Sequence, residues 1–298
     1  MLVGLNAGFG HPVGPDWPFV TSLGCTVVRQ EFRLAIDDPT LARLMADFVG
    51  RPARLLALLG GGTNVGSGGR IEPHEFAMLG TRVATAAAAA GLAGVLIEVG
   101  NEPDIGHVGY RTRPADFADA IRQTHLAVRA AGFHGPVITG GVSNLSPARL
   151  AYLEEVVRAG VPLDVVVGFH RYPHRLGPTV PHPGFATRDA EWARLQGIAE
   201  GRAVACTEFG HHTARRRFGL FGVLRKRVSA ETVADHIAFD LEYFRDRGAM
   251  LAAVYQLNDG PTGAAIDRYG VRRTDGMPKP AAEAIAAFTA RSSGATLR

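Results

Sequence analysis

Two glutamates stand where bond-breaking chemistry would need them. Glu102 ends the stretch Glu98-Val99-Gly100-Asn101-Glu102-Pro103, and Glu208 ends Cys206-Thr207-Glu208-Phe209-Gly210. Each closes a short apolar run, a place where packing explains a carboxylate poorly, because an unpaired buried charge is costly. Taken singly, either reads as a solvated or ion-paired loop residue. Taken together, they supply what double displacement at a sugar needs: one acid to protonate the leaving oxygen and one nucleophile facing it.

Carboxylates so far apart in sequence meet only if the elements beneath them converge. Short apolar runs recur at 2–8, 24–29, 54–59, 94–100, 136–140, 164–170, 203–208 and 250–256. Helical patterns lie between or after them at 41–49, 73–90, 114–131, 147–159, 188–200, 230–247 and 279–290, several opening on proline or a Ser/Thr/Asp cap and closing on glycine. The connection over 15–23 is the least helical. Eight strands alternating with helices predict an α/β chain folded as a closed (β/α)₈ TIM barrel, one domain over 1–298. Functional side chains of such a barrel gather where its strands end, which is where both glutamates fall. An open doubly wound sheet would need a nucleotide cradle after an early strand. The glycines at 60–62 and 66–69 lack the GxGxxG spacing and the Walker lysine, and read as a loop.

At this point the motifs become specific. Asn101-Glu102-Pro103 resembles the Asn-Glu-Pro motif after strand four of the clan A glycoside hydrolases, the retaining barrel glycosidases that include the family 5 cellulases and mannanases. Thr207-Glu208-Phe209-Gly210 is similar to that clan's strand-seven motif, His170-Arg171-Tyr172 to its His-x-Tyr pattern, and Arg29 to the arginine near its nucleophile. Asp275-Gly276-Met277-Pro278-Lys279-Pro280 resembles the turn before its last helix. The resemblance implies that Glu102 is the general acid/base, that Glu208 is the nucleophile and that the substrate is an oligosaccharide or glycoside. The chain departs from family 5 at two points. It lacks a histidine at the end of the third run, and Tyr255-Gln256-Leu257-Asn258-Asp259 stands where a tryptophan usually floors the sugar site.

Physical roles for the neighbours follow from their chemistry. Asn101 can donate to a sugar 2-hydroxyl, Arg29 favours an ionised Glu208, Tyr172 can hydrogen-bond Glu208, and His170 can reach Glu102 or a sugar. Arg29 also reads as a structural ion pair and His170 as a satisfied core histidine. Gln256 and Asn258 top the last run and can reach sugar hydroxyls, although Asn258-Asp259-Gly260 also reads as an ordinary turn. Trp17 and Trp192 read as packing residues. A barrel that binds carbohydrate without catalysis, or that transfers sugar to an acceptor other than water, is the alternative.

The 298 residues carry 32 basic and 28 acidic side chains, a formal net charge of +4. Six of the cations crowd into 215–227, so no broad basic face argues for nucleic acid. That stretch reads as a basic flap, either a solvated loop or a surface helix. Two cysteines are too few for a disulfide framework or a thiolate zinc site. His174, His182, His211 and His212 lack the spacing of a metal-binding helix or strand, so neither metal nor other cofactor is expected. The longest apolar stretch, 83–99, is interrupted by Thr85, glycines and Glu98 and does not read as a membrane span. The first strand begins at once, without a leader pattern, and the expectation is a cytoplasmic protein; the oligomeric state is left open.

Overall fold

A computed structural model describes residues 1–7, 16–60, 72–105, 112–172, 177–213, 215–218, 224–261 and 268–294; His11, His174 and the glycines of 61–69 lie outside them. The strands are β1 (Leu2–Asn6), β2 (Val27–Phe32), β3 (Arg54–Leu59), β4 (Leu96–Val99), β5 (Val137–Thr139), β6 (Val167–Arg171), β7 (Val204–Phe209), β8 (Arg215–Phe218), β9 (Leu224–Arg227) and β10 (Leu251–Val254). The helices are α1 (Trp17–Ser22), α2 (Asp38–Ala46), α3 (Pro73–Ala89), α4 (Pro114–Ala130), α5 (Pro147–Arg158), α6 (Arg188–Ala199), α7 (Ala230–Asp246) and α8 (Pro280–Gly294).

Eight of the strands form one parallel sheet in the order β5-β4-β3-β2-β1-β10-β7-β6. Parallel bridges at Ile138–Val166 and Val142–Phe169 join β5 to β6 and complete the ring. The expected (β/α)₈ barrel is therefore the fold observed. Local chemistry starts and stops the helices. Asp37, Thr187 and Ser229 accept the orphan amides of Thr40, Ala190 and Thr232 at the starts of α2, α6 and α7. Proline opens α3, α4 and α5. Gly132, with φ of 80°, turns the chain out of α4 toward β5 in a conformation that a side chain would strain. The described residues of 215–227, namely 215–218 and 224–227, form neither a loop nor a helix. They make an antiparallel ribbon, β8 against β9 with Arg215 opposite Arg227, and the glycines at 219 and 222 between two like runs are its sequence cue.

The barrel buries two layers of apolar side chains. The outer layer packs strands against helices and contains Trp17, edge-on to Phe48, and Trp192, edge-on to Phe169. The inner layer plugs the barrel with Val27, Leu56, Leu96, Ile138, Val166, Ala205 and Leu251. Side chains two residues apart in a strand share a face. One step above this plug, Val27 therefore gives way to Arg29 and Leu96 to Glu98, and the interior turns polar toward the strands' C-terminal ends. Among the described residues no helix is long and apolar enough to cross a membrane.

Candidate active site

The two glutamates reach the barrel mouth by different backbone devices. Strict alternation from inward-facing Ala205 would point residue 208 outward. In β7, however, pairing slips by one residue against both neighbours: Phe169 faces Cys206 while His170 faces Glu208, and Ala252 faces Cys206 while Val254 faces Phe209. This bulge inserts Thr207 and turns Glu208 into the cleft. Glu102 lies beyond the end of β4 with φ of 46°, a left-handed conformation that costs a non-glycine residue on the order of 1–2 kcal/mol. Its amide donates to the Gly141 carbonyl at 3.0 Å, which fixes the turn against the end of β5.

Arg29 organises the floor. Its Nη1 donates to Glu208 Oε1 at 2.5 Å and to Asn6 Oδ1 at 2.8 Å, its Nε to Glu98 Oε2 at 2.5 Å, and its Nη2 to Asn101 Oδ1 at 2.8 Å. One buried guanidinium thus joins β1, β2, β4 and β7. The other oxygen of Glu208 accepts from the Tyr172 hydroxyl at 2.5 Å. His170 Nδ1 lies 3.1 Å from Glu102 Oε1 and 3.8 Å from Glu208 Oε2. The rings of Tyr172, Tyr255 and Tyr269 meet edge to face at 5.5–6.1 Å on the Glu208 side of the site.

The surrounding charges set the state of Glu208. Burial pushes the Glu208 pKa up, but His170, Arg29 and the Tyr172 hydrogen bond outweigh it and hold the group below its ordinary value. Burial alone would lower the pKa of His170; Glu208 and Glu102 reverse that and raise it. Burial and the neighbouring Glu208 push Tyr172 well up, so its hydroxyl remains a donor.

Arg29, Asn101, His170 and Tyr172 thus converge with Glu102 and Glu208 in one cluster. Gln256 is half-buried just past β10, joined to Tyr255 by a cis peptide, and its backbone pairs with Tyr269 and Val271. The side chain of Asn258 accepts from Arg272 Nε at 2.7 Å, and Arg272 in turn reaches Asp16. Asp259 holds Lys279 at 2.5 Å and the Gly270 amide at 2.9 Å. Glu98, Asn6, Tyr255 and Tyr269 complete the site without having been singled out as site residues in the sequence. The only signal for Glu98 was a charge inside an apolar run.

A second buried charge cluster lies outside the barrel wall, behind Glu208. Asp240 on α7 meets His211 at 2.7 Å, Arg188 of α6 at 2.6 Å and Arg171 of β6 at 3.6 Å. Arg171 also meets Glu191 at 3.1 Å, and Glu191 holds His182 at 2.9 Å. Because Arg171 sits between His170 and Tyr172, and His211 follows Glu208 by three residues, this cluster braces the ends of β6 and β7 from behind. Cys25 and Cys206 are buried thiols.

Glu102, His170 and Glu208 bring one donor atom each within 4.8 Å of one another. Arg29 already places a positive charge against Glu208 at 2.5 Å.

Comparison with known proteins bears on the fold. No protein-family model matches the chain, and no curated protein sequence matches it. Solved structures do. A family 39 glycoside hydrolase from Bacteroides cellulosilyticus superposes with a TM-score of 0.72 at 14% identity, over 96% of this chain and 63% of that one. An exo-β-1,4-mannosidase from an Opitutaceae bacterium gives 0.67 at 19% identity, over 100% of this chain and 60% of that one. An endo-β-1,4-glucanase from Xanthomonas axonopodis gives 0.65 at 15% identity, over 97% and 98%. The chain therefore spans less than two thirds of the length of the first two. At these identities the likeness is one of barrel fold.

Proposed function

We propose that this barrel is the catalytic domain of a retaining glycosidase acting on an oligosaccharide or glycoside, with Glu102 as general acid/base and Glu208 as nucleophile. The observation that carries the reading is the short separation of two carboxylates in unlike surroundings. One oxygen of each lies within 4.8 Å of the other, and a single nitrogen, His170 Nδ1, reaches both at 3.1 and 3.8 Å; retaining enzymes hold their carboxyl pair close, at roughly 5–5.5 Å, whereas inverting ones leave roughly 6.5–9.5 Å for a water. The glycosidases that share the fold support the same reading.

The mechanism follows from the contacts. Glu208, kept ionised by Arg29, attacks the anomeric carbon. Glu102 protonates the departing oxygen, so a covalent glycosyl–Glu208 ester forms as the glycosidic bond breaks. Glu102, now a carboxylate, takes a proton from water as that water displaces Glu208. Arg29 occupies the Asn101 carbonyl oxygen, which leaves the amide nitrogen of Asn101 to donate to the sugar 2-hydroxyl. With both tryptophans committed to packing, the sugar's apolar face meets tyrosine: Tyr255 and Tyr269.

Alanine substitutions separate the roles. Glu208→Ala removes turnover on every glycoside, and azide restores it with inverted product configuration. Glu102→Ala still forms the ester from a substrate with a good leaving group, accumulates it, and responds to azide with retained configuration. Exchanged phenotypes reverse the assignment; near-wild-type turnover in both variants refutes the mechanism.

A further inference from the structure

We propose that His170 is a permanent counter-ion shared by the two glutamates: an imidazolium in both half-reactions, following a negative charge that moves from Glu208 to Glu102 and back. This rests on the glycosidase reading above and adds a role for a third group in it.

The charge moves by the covalent steps themselves. When the Glu208 oxygen bonds to the anomeric carbon and the glycosidic bond breaks, the Glu102 proton leaves with the departing oxygen. Glu208 is then a neutral ester and Glu102 a carboxylate. Water reverses this: its oxygen bonds to the anomeric carbon, one of its protons goes to Glu102, and the ester bond breaks to return the charge to Glu208. His170 neither gains nor loses a proton in either step.

The geometry fits a cation that serves both sites. A single atom, His170 Nδ1, faces Glu102 at 3.1 Å and Glu208 at 3.8 Å, so a small change of aim passes its N–H from one to the other. The ring is fully buried, and the groups facing it come from every side: Glu102 beyond β4, Glu208 and Thr207 on β7, Tyr172 on β6, Arg29 on β2, with Gly141 beyond β5. Arg29 opposes a second positive charge, but its own charge is divided between Glu208 and Glu98 at 2.5 Å each. A charge leaving Glu208 therefore leaves Arg29 still paired with Glu98, and His170 is the cation that contacts Glu102. The far side of the ring is enclosed. His170 Nε2 and Thr207 Oγ1 are both buried without a hydrogen-bond partner among the described residues, and both lie within 3.0 Å of the point where a Cβ on Gly141 would stand.

The test is ¹⁵N NMR of the histidine-labelled full chain, with His170 assigned by loss of its signal in His170→Gln. At a pH where an ordinary imidazole is neutral, the wild-type ring should carry two protons. It should keep both when the ester is trapped with an activated 2-fluoro glycoside. Glu208→Gln and Glu102→Gln should each lower its titration, and the double variant should bring it to or below the ordinary imidazole position. A neutral ring in the wild type, loss of a proton on trapping, or a double variant that titrates like the wild type overturns the proposal. If no glycoside is cleaved or trapped, the proposed function fails, and the glutamine variants still decide the counter-ion. Kinetically, His170→Gln should slow ester formation and ester hydrolysis alike, each by about 10- to 100-fold, as for loss of a hydrogen bond to a charged group; an effect on only one step overturns the shared role.

Discussion

Removing one oxygen from Tyr172 is the smallest change that reports on Glu208, the proposed nucleophile. Its hydroxyl donates to Glu208 at 2.5 Å and helps hold that carboxyl below its ordinary pKa. A nucleophile works only when ionised, so activity falls as pH drops through its pKa. Tyr172→Phe raises that pKa, and the acid limb of kcat/KM on an activated aryl glycoside should move to higher pH. At neutral pH, loss of a charge-assisted hydrogen bond of about 1.5–3 kcal/mol corresponds to about a 10- to 100-fold drop in kcat/KM. A limb that moves to lower pH would contradict the contact. The residues named from sequence share one trait: Arg29, Asn101, Glu102, His170, Tyr172 and Glu208 are polar groups at the ends of apolar runs. Glu98 and Asn6 escaped because a barrel strand is buried on both faces, and a polar residue inside it looks like noise until the ring shows which face turns inward. Tyr255 was legible only as part of the segment standing where a tryptophan usually floors the sugar site, and Tyr269 escaped because only its backbone pairing with Gln256 brings it to the site.

At the scale of elements, α7 does more than cover the barrel. Asp240 gathers His211, Arg188 and Arg171, and so ties the ends of β6 and β7 to α6 and α7. Removing one partner from a buried ion cluster strands the others, so Asp240→Ala should cost about 3–5 kcal/mol in urea unfolding at neutral pH. Burial pushes the Asp240 pKa up, but the His211 hydrogen bond and the two arginines hold it below the ordinary aspartate value. A depressed carboxyl contributes stability above its unfolded pKa and loses it as pH falls through its folded pKa. The gap between wild type and variant should therefore persist at neutral pH and close only in acid below about pH 3.9. A neutral-pH loss under about 1 kcal/mol would mean that the cluster is not a clamp. Element identities were legible from sequence, but their edges were less so. The second strand reads as 24–29 yet runs from Val27 to Phe32, because Arg29, Gln30 and Glu31 hide a strand that continues into the polar interior. The bulge at Thr207 is invisible to any count of alternation, since it exists only relative to β6 and β10.

The whole molecule owes its basic character to one ribbon. Between Phe209 and Ala230 the sequence has no acidic residue, and the six cations of 215–227, subtracted from a net charge of +4, leave −2. Arg215 pairs with Arg227, so the ribbon's ends lie only about 5 Å apart and an Asn-Gly turn can replace 215–227. That variant should change from a cation exchanger to an anion exchanger at neutral pH and keep barrel stability within about 0.5 kcal/mol; a variant that unfolds would make the ribbon part of the barrel's support. The barrel itself was legible because eight runs alternate with helices, whereas its closure belongs to no single residue. The bend at Gly132, where a Cβ would touch nothing within 4 Å, has a consequence for how the protein can be taken apart. Cutting there opens the ring along two seams, β4–β5 and β1–β10. One half keeps Asn6, Arg29, Glu98, Asn101 and Glu102; the other keeps His170, Tyr172 and Glu208. Each is half a reagent, silent by itself. Co-expressed, the two should regain turnover only as the seams re-pair, so the rate at which sugar is released becomes a clock for self-assembly.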